Sequence, residues 1–166
     1  DSPVQERTYR VSYVLNGGKN HPKNSASYKG TLALWNPSRR NYVFAGWYLD
    51  KRCKTKATAV KGKDVTLYAK WSKIKLRKPK VSLKKSGKKA LKVTIGKVPK
   101  AAGYEIRVAR NAKMKKGLKI YRVRAARKVL KNRKKNTAYY VRVRAFAKDS
   151  AGKLVYGKYS APKRIF

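Results

Sequence analysis

Apolar and polar residues alternate with a period of two along most of this chain, which is the pattern of half-buried β-strands. In the run from Thr8 to Leu15, every second residue is Tyr, Val or Leu, and the run ends at the turn signal Asn16-Gly17-Gly18. Comparable runs predict further strands at 31–35, 65–71, 91–95, 103–110, 119–125, 138–146 and 153–159. In the second half, turns rich in Gly, Asn or Lys separate these runs regularly, which predicts an antiparallel sandwich there. Residues 111–116 allow a short helix as an alternative.

The net charge changes abruptly part-way along the chain. The 166 residues include 47 Lys or Arg and 6 Asp or Glu, a formal net charge of +41. Residues 1–72 hold 14 basic and 4 acidic residues, whereas residues 73–166 hold 33 and 2. The step falls on a short basic stretch that ends at Lys78-Pro79, so we expect two domains, 1–72 and 79–166, joined by a basic linker at 73–78.

The composition excludes several classes of function. Six carboxylates and one histidine, His21, provide little for acid–base catalysis or a metal site, and no enzyme, metal or cofactor is expected. The single cysteine, Cys53, allows neither an internal disulfide nor a thiolate metal cage. No run of 18 apolar residues exists. The chain begins at Asp1 without a signal-peptide core, and we expect it to be a fragment of a longer protein.

Five sequence blocks of the first half occur in a characteristic order. They are Tyr9-Arg10-Val11-Ser12-Tyr13, Leu15-Asn16-Gly17-Gly18, Asn36-Pro37-Ser38-Arg39-Arg40, Phe44-Ala45-Gly46-Trp47-Tyr48 and Thr66-Leu67-Tyr68-Ala69-Lys70-Trp71. With these blocks the first half resembles the Listeria–Bacteroides repeat, the B-repeat module of bacterial surface proteins. The resemblance implies a compact β-grasp-like module and an extracellular or cell-surface location, with a spacer or adhesion role.

The second half carries three blocks of its own, at 97–106, 137–145 and 156–160. With them residues 79–166 resemble a bacterial fibronectin type III domain. The resemblance implies that Tyr139 is the corner tyrosine, whose hydroxyl bonds back to the backbone. It also reveals two departures, because Ile95 stands where a core Trp is common and Arg133 where a Leu is usual. Neither family is an enzyme family, and fold alone does not name a ligand.

Arginines and lysines of the second half occupy different positions. Lysine pairs fall in predicted turns, whereas several arginines alternate with inward-facing residues on predicted strands. In a type III sandwich these strands belong to one sheet, whose outer face would carry Arg107, Arg122, Arg124, Arg142 and Arg144 with almost no acid to neutralise them. Guanidinium groups grip sulfate, phosphate and carboxylate with two bonds, so the pattern predicts a polyanion-binding face. The alternative is a solvated face of isolated charges.

Trp35 is predicted on the face opposite Leu32 and Leu34. An exposed Trp there would stack on a base or sugar or pack against the second domain, whereas the alternative is local packing in a small module. Trp47 and Trp71 lie in the repeat's motif blocks and are expected in the core.

The sequence as a whole predicts a mainly β protein: a β-grasp-like module followed by an antiparallel β-sandwich of the fibronectin type III kind. We expect a non-catalytic, monomeric binder of polyanions with no small-molecule substrate. Its expected partners are sulfated glycans, teichoic acids, anionic membrane surfaces, and DNA or RNA. Two alternatives stay open: a spacer of an adhesin that is retained on the anionic cell wall, and a nucleic-acid-binding protein.

Overall fold

A computed structural model describes residues 6–166, which form twelve β-strands and no α-helix. The mainly β fold class predicted from the sequence is therefore confirmed. The chain divides into two compact units, which are described one at a time. The first comprises the residues up to Ile74 together with Asp149–Lys153, and the second comprises Lys75–Lys148 with Leu154–Phe166. The described part of the chain contains no helix that is long and apolar enough to cross a membrane.

The first unit contains one mixed sheet of four strands, in the order β2-β1-β4-β3. The strands are β1 (Tyr9–Val14), β2 (Ser27–Tyr28), β3 (Tyr42–Tyr48) and β4 (Val65–Lys73). The central pair, β1 and β4, is parallel, and the two outer pairs are antiparallel. A parallel central pair agrees with the β-grasp-like arrangement, although the described connections between these strands contain no helix.

Alternating side chains of β1, β3 and β4 form the core of this unit. Leu67 is fully buried and Trp47 nearly so, while Trp71 packs partly buried against them, as expected for both tryptophans. The indole Nε1 of Trp71 donates a 2.8 Å hydrogen bond to the carbonyl of Leu15, next to the predicted turn. A Cβ at Gly18 would lie 2.3 Å from Cζ2 of the same indole, so this turn position requires glycine.

The strand predicted at 31–35 is wrong. Only one isolated bridge forms there, between Thr31 and Lys61, although Leu32 is buried as its position in the pattern suggested. The side chain of Asn24 accepts a 2.8 Å hydrogen bond from the N–H of Trp35 and donates a 2.9 Å bond to its carbonyl. A side-chain amide thus occupies the backbone groups that a neighbouring strand would otherwise pair.

The second unit is a sandwich of two antiparallel sheets that share one core. The smaller sheet has the order β5-β6-β9, and the larger has the order β11-β10-β7-β8 with β12 also paired to β10. The strands are β5 (Val81–Ser86), β6 (Ala90–Ile95), β7 (Gly103–Ala109), β8 (Lys119–Val123), β9 (Arg127–Leu130), β10 (Tyr139–Lys148), β11 (Leu154–Tyr156) and β12 (Lys163–Ile165). The predicted antiparallel sandwich is confirmed.

The corner predicted for Tyr139 is present. Its hydroxyl accepts a 2.9 Å hydrogen bond from the backbone N–H of Lys134. Ile95 is buried in the shared core, so the residue that replaces the common Trp still packs inside. The segment 111–116 forms turns and not a helix, because the side chain of Asn111 accepts the N–H groups of Lys115 and Lys116, each at 3.0 Å.

The segment 73–78, predicted as a linker, is ordered at both of its ends. Lys73 is the last residue of β4, and the N–H of Ile74 bonds to the carbonyl of Asn41 within the first unit. Leu76 packs against the core of the second unit. The division between the two units falls between residues 74 and 75.

Candidate anion-binding site

The register of β7, β8 and β10 brings four of the five predicted arginines together on the outer face of the larger sheet. Arg142 lies directly opposite Arg107 on the neighbouring strand. Glu105, two residues before Arg107, lies opposite Arg144 on one side and Arg122 on the other. We call Arg107, Arg122, Arg142 and Arg144 the arginine face.

Glu105 lies at the centre of the arginine face and is only 1% exposed. Its carboxylate accepts a 3.1 Å hydrogen bond from Nε of Arg107 and lies 3.2 Å from Nη2 of Arg144. Nε of Arg122 lies 3.7 Å away, and the hydroxyl of Tyr159 donates a 2.6 Å hydrogen bond. The expectation that almost no acid neutralises these arginines overlooked this one carboxylate, which pairs with three of them. The alternation that turns Arg107 outward places Glu105 beside it, and that signal was available in the sequence.

The surroundings of Glu105 keep its carboxylate ionised. Burial alone would raise the pKa of Glu105, but hydrogen bonds from Tyr159, Arg144 and Arg107 outweigh burial and hold that pKa at about 2. The pKa of Tyr159 is shifted the other way, since burial and its hydrogen bond to the carboxylate both raise it. At neutral pH the cluster therefore consists of one carboxylate, one neutral phenol and four guanidinium ions.

The guanidinium groups of two arginines stack on tyrosine rings. Cζ of Arg142 lies 4.2 Å from the ring centre of Tyr159, and Cζ of Arg144 lies 3.7 Å from that of Tyr156. Nη2 of Arg122 donates a 2.9 Å hydrogen bond to the hydroxyl of Tyr156. Stacking on an aromatic ring holds a guanidinium plane in a fixed orientation and leaves its edge free to donate hydrogen bonds.

The charges of the arginine face do not balance. Glu105 is the single acidic residue within the described residues of the second unit, and three of the four guanidinium groups, those of Arg107, Arg122 and Arg144, pair with it. Nε of Arg142 is buried and has no hydrogen-bond partner among residues 6–166. Arg164, which the sequence reading missed, lies opposite Tyr140 and therefore points to the same side of the sheet as Arg142. The face thus keeps a surplus of cationic hydrogen-bond donors.

Arg124 was predicted on this face and does not belong to it. β8 ends at Val123, and the chain bends over the next three residues, so the strand alternation stops before Arg124. No ion pair to Glu105 involves Arg124 within the described chain. On β8, the residue that points to the same side as Arg122 is Ile120, which is 50% exposed.

Trp35 is 39% exposed in the first unit. The ring of His21 stacks loosely on it at 6.1 Å and 24°, and Nζ of Lys23 lies 5.8 Å from its centre. Nε1 of Trp47 donates a 3.2 Å hydrogen bond to the backbone carbonyl of Trp35. Its use as a stacking surface for a base or sugar stays a prediction. No group of three or more metal-ligating side chains occurs in the described part of the chain.

Comparison with protein families tests the resemblance of the first half. Residues 9–70 match the family model of the Listeria-Bacteroides repeat domain. The resemblance read from the five sequence blocks is confirmed, and this repeat is typical of bacterial surface or secreted proteins. No curated protein matches the chain.

Solved structures similar to this chain include fibronectin type III domains. The FN5 domain of Drosophila Lar is 18% identical, covering 54% of this chain and 94% of its own, with a TM-score of 0.41. The FN3 domain of human collagen XX is 19% identical, covering 54% and 92%, with a TM-score of 0.38. A chain from a cytokine receptor complex is 16% identical, covering 82% and 81%, with a TM-score of 0.50. At such identities the likeness concerns the fold alone. Both kinds of module are generally non-catalytic.

Proposed function

We propose that this chain is a non-catalytic, cationic module of a secreted or surface-attached bacterial protein, and that its arginine face binds polyanions. The observation that carries this proposal is the presence of four guanidinium groups with a single carboxylate on one sheet face: three pair with Glu105, and the fourth, Arg142, stacks on Tyr159. Three positive charges remain after Glu105 is counted, and they lie on neighbouring strands where like charges repel each other. An anionic ligand relieves that repulsion.

The chemistry of the face favours oxyanions of sulfate or phosphate type. A guanidinium carries parallel N–H donors along its edge, and such a fork matches two oxygens of one oxyanion. Arg144 already directs Nε and Nη2 at Glu105, whereas Arg142 has no bond to that carboxylate. Stacking on Tyr156 and Tyr159 reduces the side-chain entropy that binding would otherwise cost. Sulfated glycans and wall teichoic acids are the first candidates because the repeat family is typical of the bacterial surface.

Glu105 has a supporting role in this proposal. Its carboxylate offsets the repulsion between Arg107 and Arg144 and so stabilises the folded sheet, while it occupies guanidinium donors that a ligand would otherwise use. The lysine-rich turns around the sandwich add a general attractive field that steers any polyanion without selecting one.

One observation favours the alternative of a structural spacer. Arg107 and Arg144 already bond to Glu105, with side chains 26% and 22% exposed, so part of the network also stabilises the sheet. In a spacer, attraction to the cell wall would depend on total charge and not on which basic residues carry it.

The experiment that tests the proposal is a titration of the full chain with heparin, a teichoic acid and double-stranded DNA at several salt concentrations and matched ligand charge. A polyanion site on one face predicts a log–log salt slope that corresponds to about 4–8 ion contacts. A preference for DNA at equal charge and salt would instead support the nucleic-acid alternative. A slope that increases without limit as ligand length increases would indicate diffuse charge and contradict the proposal.

A further inference from the structure

A cleft of about 190 Å³ opens in the sandwich of the second unit, away from the arginine face, and residues of both sheets line it. Its apolar lining is part of the shared core, with the buried side chains of Leu91, Val108 and Leu130. The rings of Tyr121 and Tyr139 complete this lining. The cleft therefore opens onto the hydrophobic core of the second unit.

The polar lining of the cleft is entirely basic in charge. Its charged members are Arg110, Lys119, Lys131, Arg133 and Lys134, and none of the described residues that line it is acidic. The side chain of Arg110 is placed by close packing on Gly117, where a Cβ would lie 2.7 Å from its Nε. An apolar cavity below a cationic rim is complementary to a molecule with an apolar body and one negative group.

Arg133 is the residue of this lining that is least explained by the fold. Its Nη1 is buried and has no hydrogen-bond partner among the described residues. Its backbone is fixed, because its N–H donates a 2.8 Å hydrogen bond to the carbonyl of Lys89. A buried donor without an acceptor costs about 1–3 kcal/mol, and more when it is charged. The fibronectin type III resemblance implies a leucine at this position, so the chain carries a cation where core packing alone favours an apolar side chain.

We propose that this cleft binds a small anion with an apolar body, an aromatic or short-chain carboxylate, and that Arg133 holds the carboxylate. A carboxylate supplies the acceptor that Nη1 lacks, and its apolar part covers the exposed edge of the core. The volume of the cleft, about 190 Å³, limits the size of the ligand. An apolar cavity of about 150 Å³ takes up benzene, whereas sites for drug-sized ligands begin at about 300 Å³. A single ring or a chain of about six carbons fits these limits. The proposal uses no residue of the arginine face and is independent of polyanion binding.

Titration of the ¹⁵N-labelled full chain with benzoate, followed by NMR, tests the site. We expect saturable shifts at the amides of Leu91, Val108 and Leu130 and in the 131–134 segment. Acetate, which lacks the ring, and benzyl alcohol, which lacks the charge, are matched ligands that should bind at least tenfold more weakly. Equal binding of acetate and benzoate, or shifts spread over all lysine-rich turns, would overturn the proposal.

Two variants of Arg133 and one control identify the group that holds the anion. Arg133→Leu should weaken benzoate binding at least tenfold and raise the melting temperature, because it restores an apolar side chain to the core. Arg133→Gln, which leaves a shorter, uncharged polar side chain, should weaken binding as strongly. Lys131→Gln removes the same charge from the rim and should weaken binding less than threefold. Unchanged binding in both Arg133 variants, or loss of binding in an Arg142→Gln/Arg144→Gln variant, would contradict the assignment.

Discussion

The hydroxyl of Tyr159 donates a 2.6 Å hydrogen bond to Oε1 of Glu105, the same oxygen that accepts from Arg107 and Arg144. The phenol of Tyr159 thus contacts Glu105 through its hydroxyl, while its ring lies under the guanidinium groups of Arg142 and Arg144. Glu105 and Tyr159 together affect both the stability of the sheet and the position of the arginines, and each effect can be measured.

The first prediction concerns acid stability. Because the folded pKa of Glu105 is about 2 and its ordinary value is 4.5, its ionised form stabilises the folded state above pH 4.5. That contribution, at most about 3 kcal/mol, should be lost as the pH falls from 4.5 towards 2. Urea unfolding of the full chain at several pH values, followed by the amide resonances of β10, measures it. Glu105→Gln should remove this pH dependence, and a variant that keeps it would show that another group is responsible.

The second prediction separates binding from structure at the same carboxylate. Glu105→Gln frees guanidinium donors for a ligand while leaving several of them without a buried partner. Stability should fall by about 3 kcal/mol, whereas heparin affinity at moderate salt should rise by about threefold or more. Asp64→Asn in the first unit removes an equal charge and serves as the control, with little change in affinity. Reduced heparin affinity in folded Glu105→Gln would contradict a binding role for the freed arginines.

The third prediction concerns the boundary between the units. We expect residues 1–72 and 78–166 each to fold alone and to melt cooperatively in circular dichroism. Since Leu76 packs against the second core, a fragment 75–166 should melt at a higher temperature than 78–166, by an amount equivalent to about 1–2 kcal/mol. A fragment 75–166 carrying Leu76→Ala is the matched control and should behave like 78–166. Two halves without a cooperative transition would refute the two-domain interpretation.

Sequence alternation predicted β10 well because the two faces of this strand differ strongly in burial. In β10, Val141, Val143 and Ala145 are fully buried between outward-facing charged or aromatic residues, and this strand was predicted almost to its ends. In β9, Leu130 is buried but its apolar neighbour Val129 is exposed. Apolar and polar residues therefore do not alternate along this strand, and it was missed. A strand that contributes one side chain to the core gives little periodic signal.

The sequence predicted which sheet face carries the candidate site, but not all of the residues that form it. Four arginines of the predicted five share the face because the strand period turns them the same way. The place of Glu105 beside Arg107 follows from the same alternation, but its contact with Tyr159 does not, because that contact joins residues 54 positions apart. Arg124 was placed on the face because the alternation was extended to residue 125, whereas β8 ends at Val123 and the chain bends at 124–126. The unpartnered Nη1 of Arg133 likewise depends on packing between strands.

The central claim is that placed arginines, and not total charge, bind the polyanion. Heparin affinity measured against salt in two double variants of equal charge tests it most directly. Arg142→Gln/Arg144→Gln alters the arginine face, while Lys84→Gln/Lys85→Gln alters exposed lysines of β5 in the other sheet. The account predicts that the arginine pair lowers the log–log salt slope by about two and weakens binding at least tenfold, with a several-fold smaller effect from the lysine pair. Equal losses in two variants that both remain folded would contradict it.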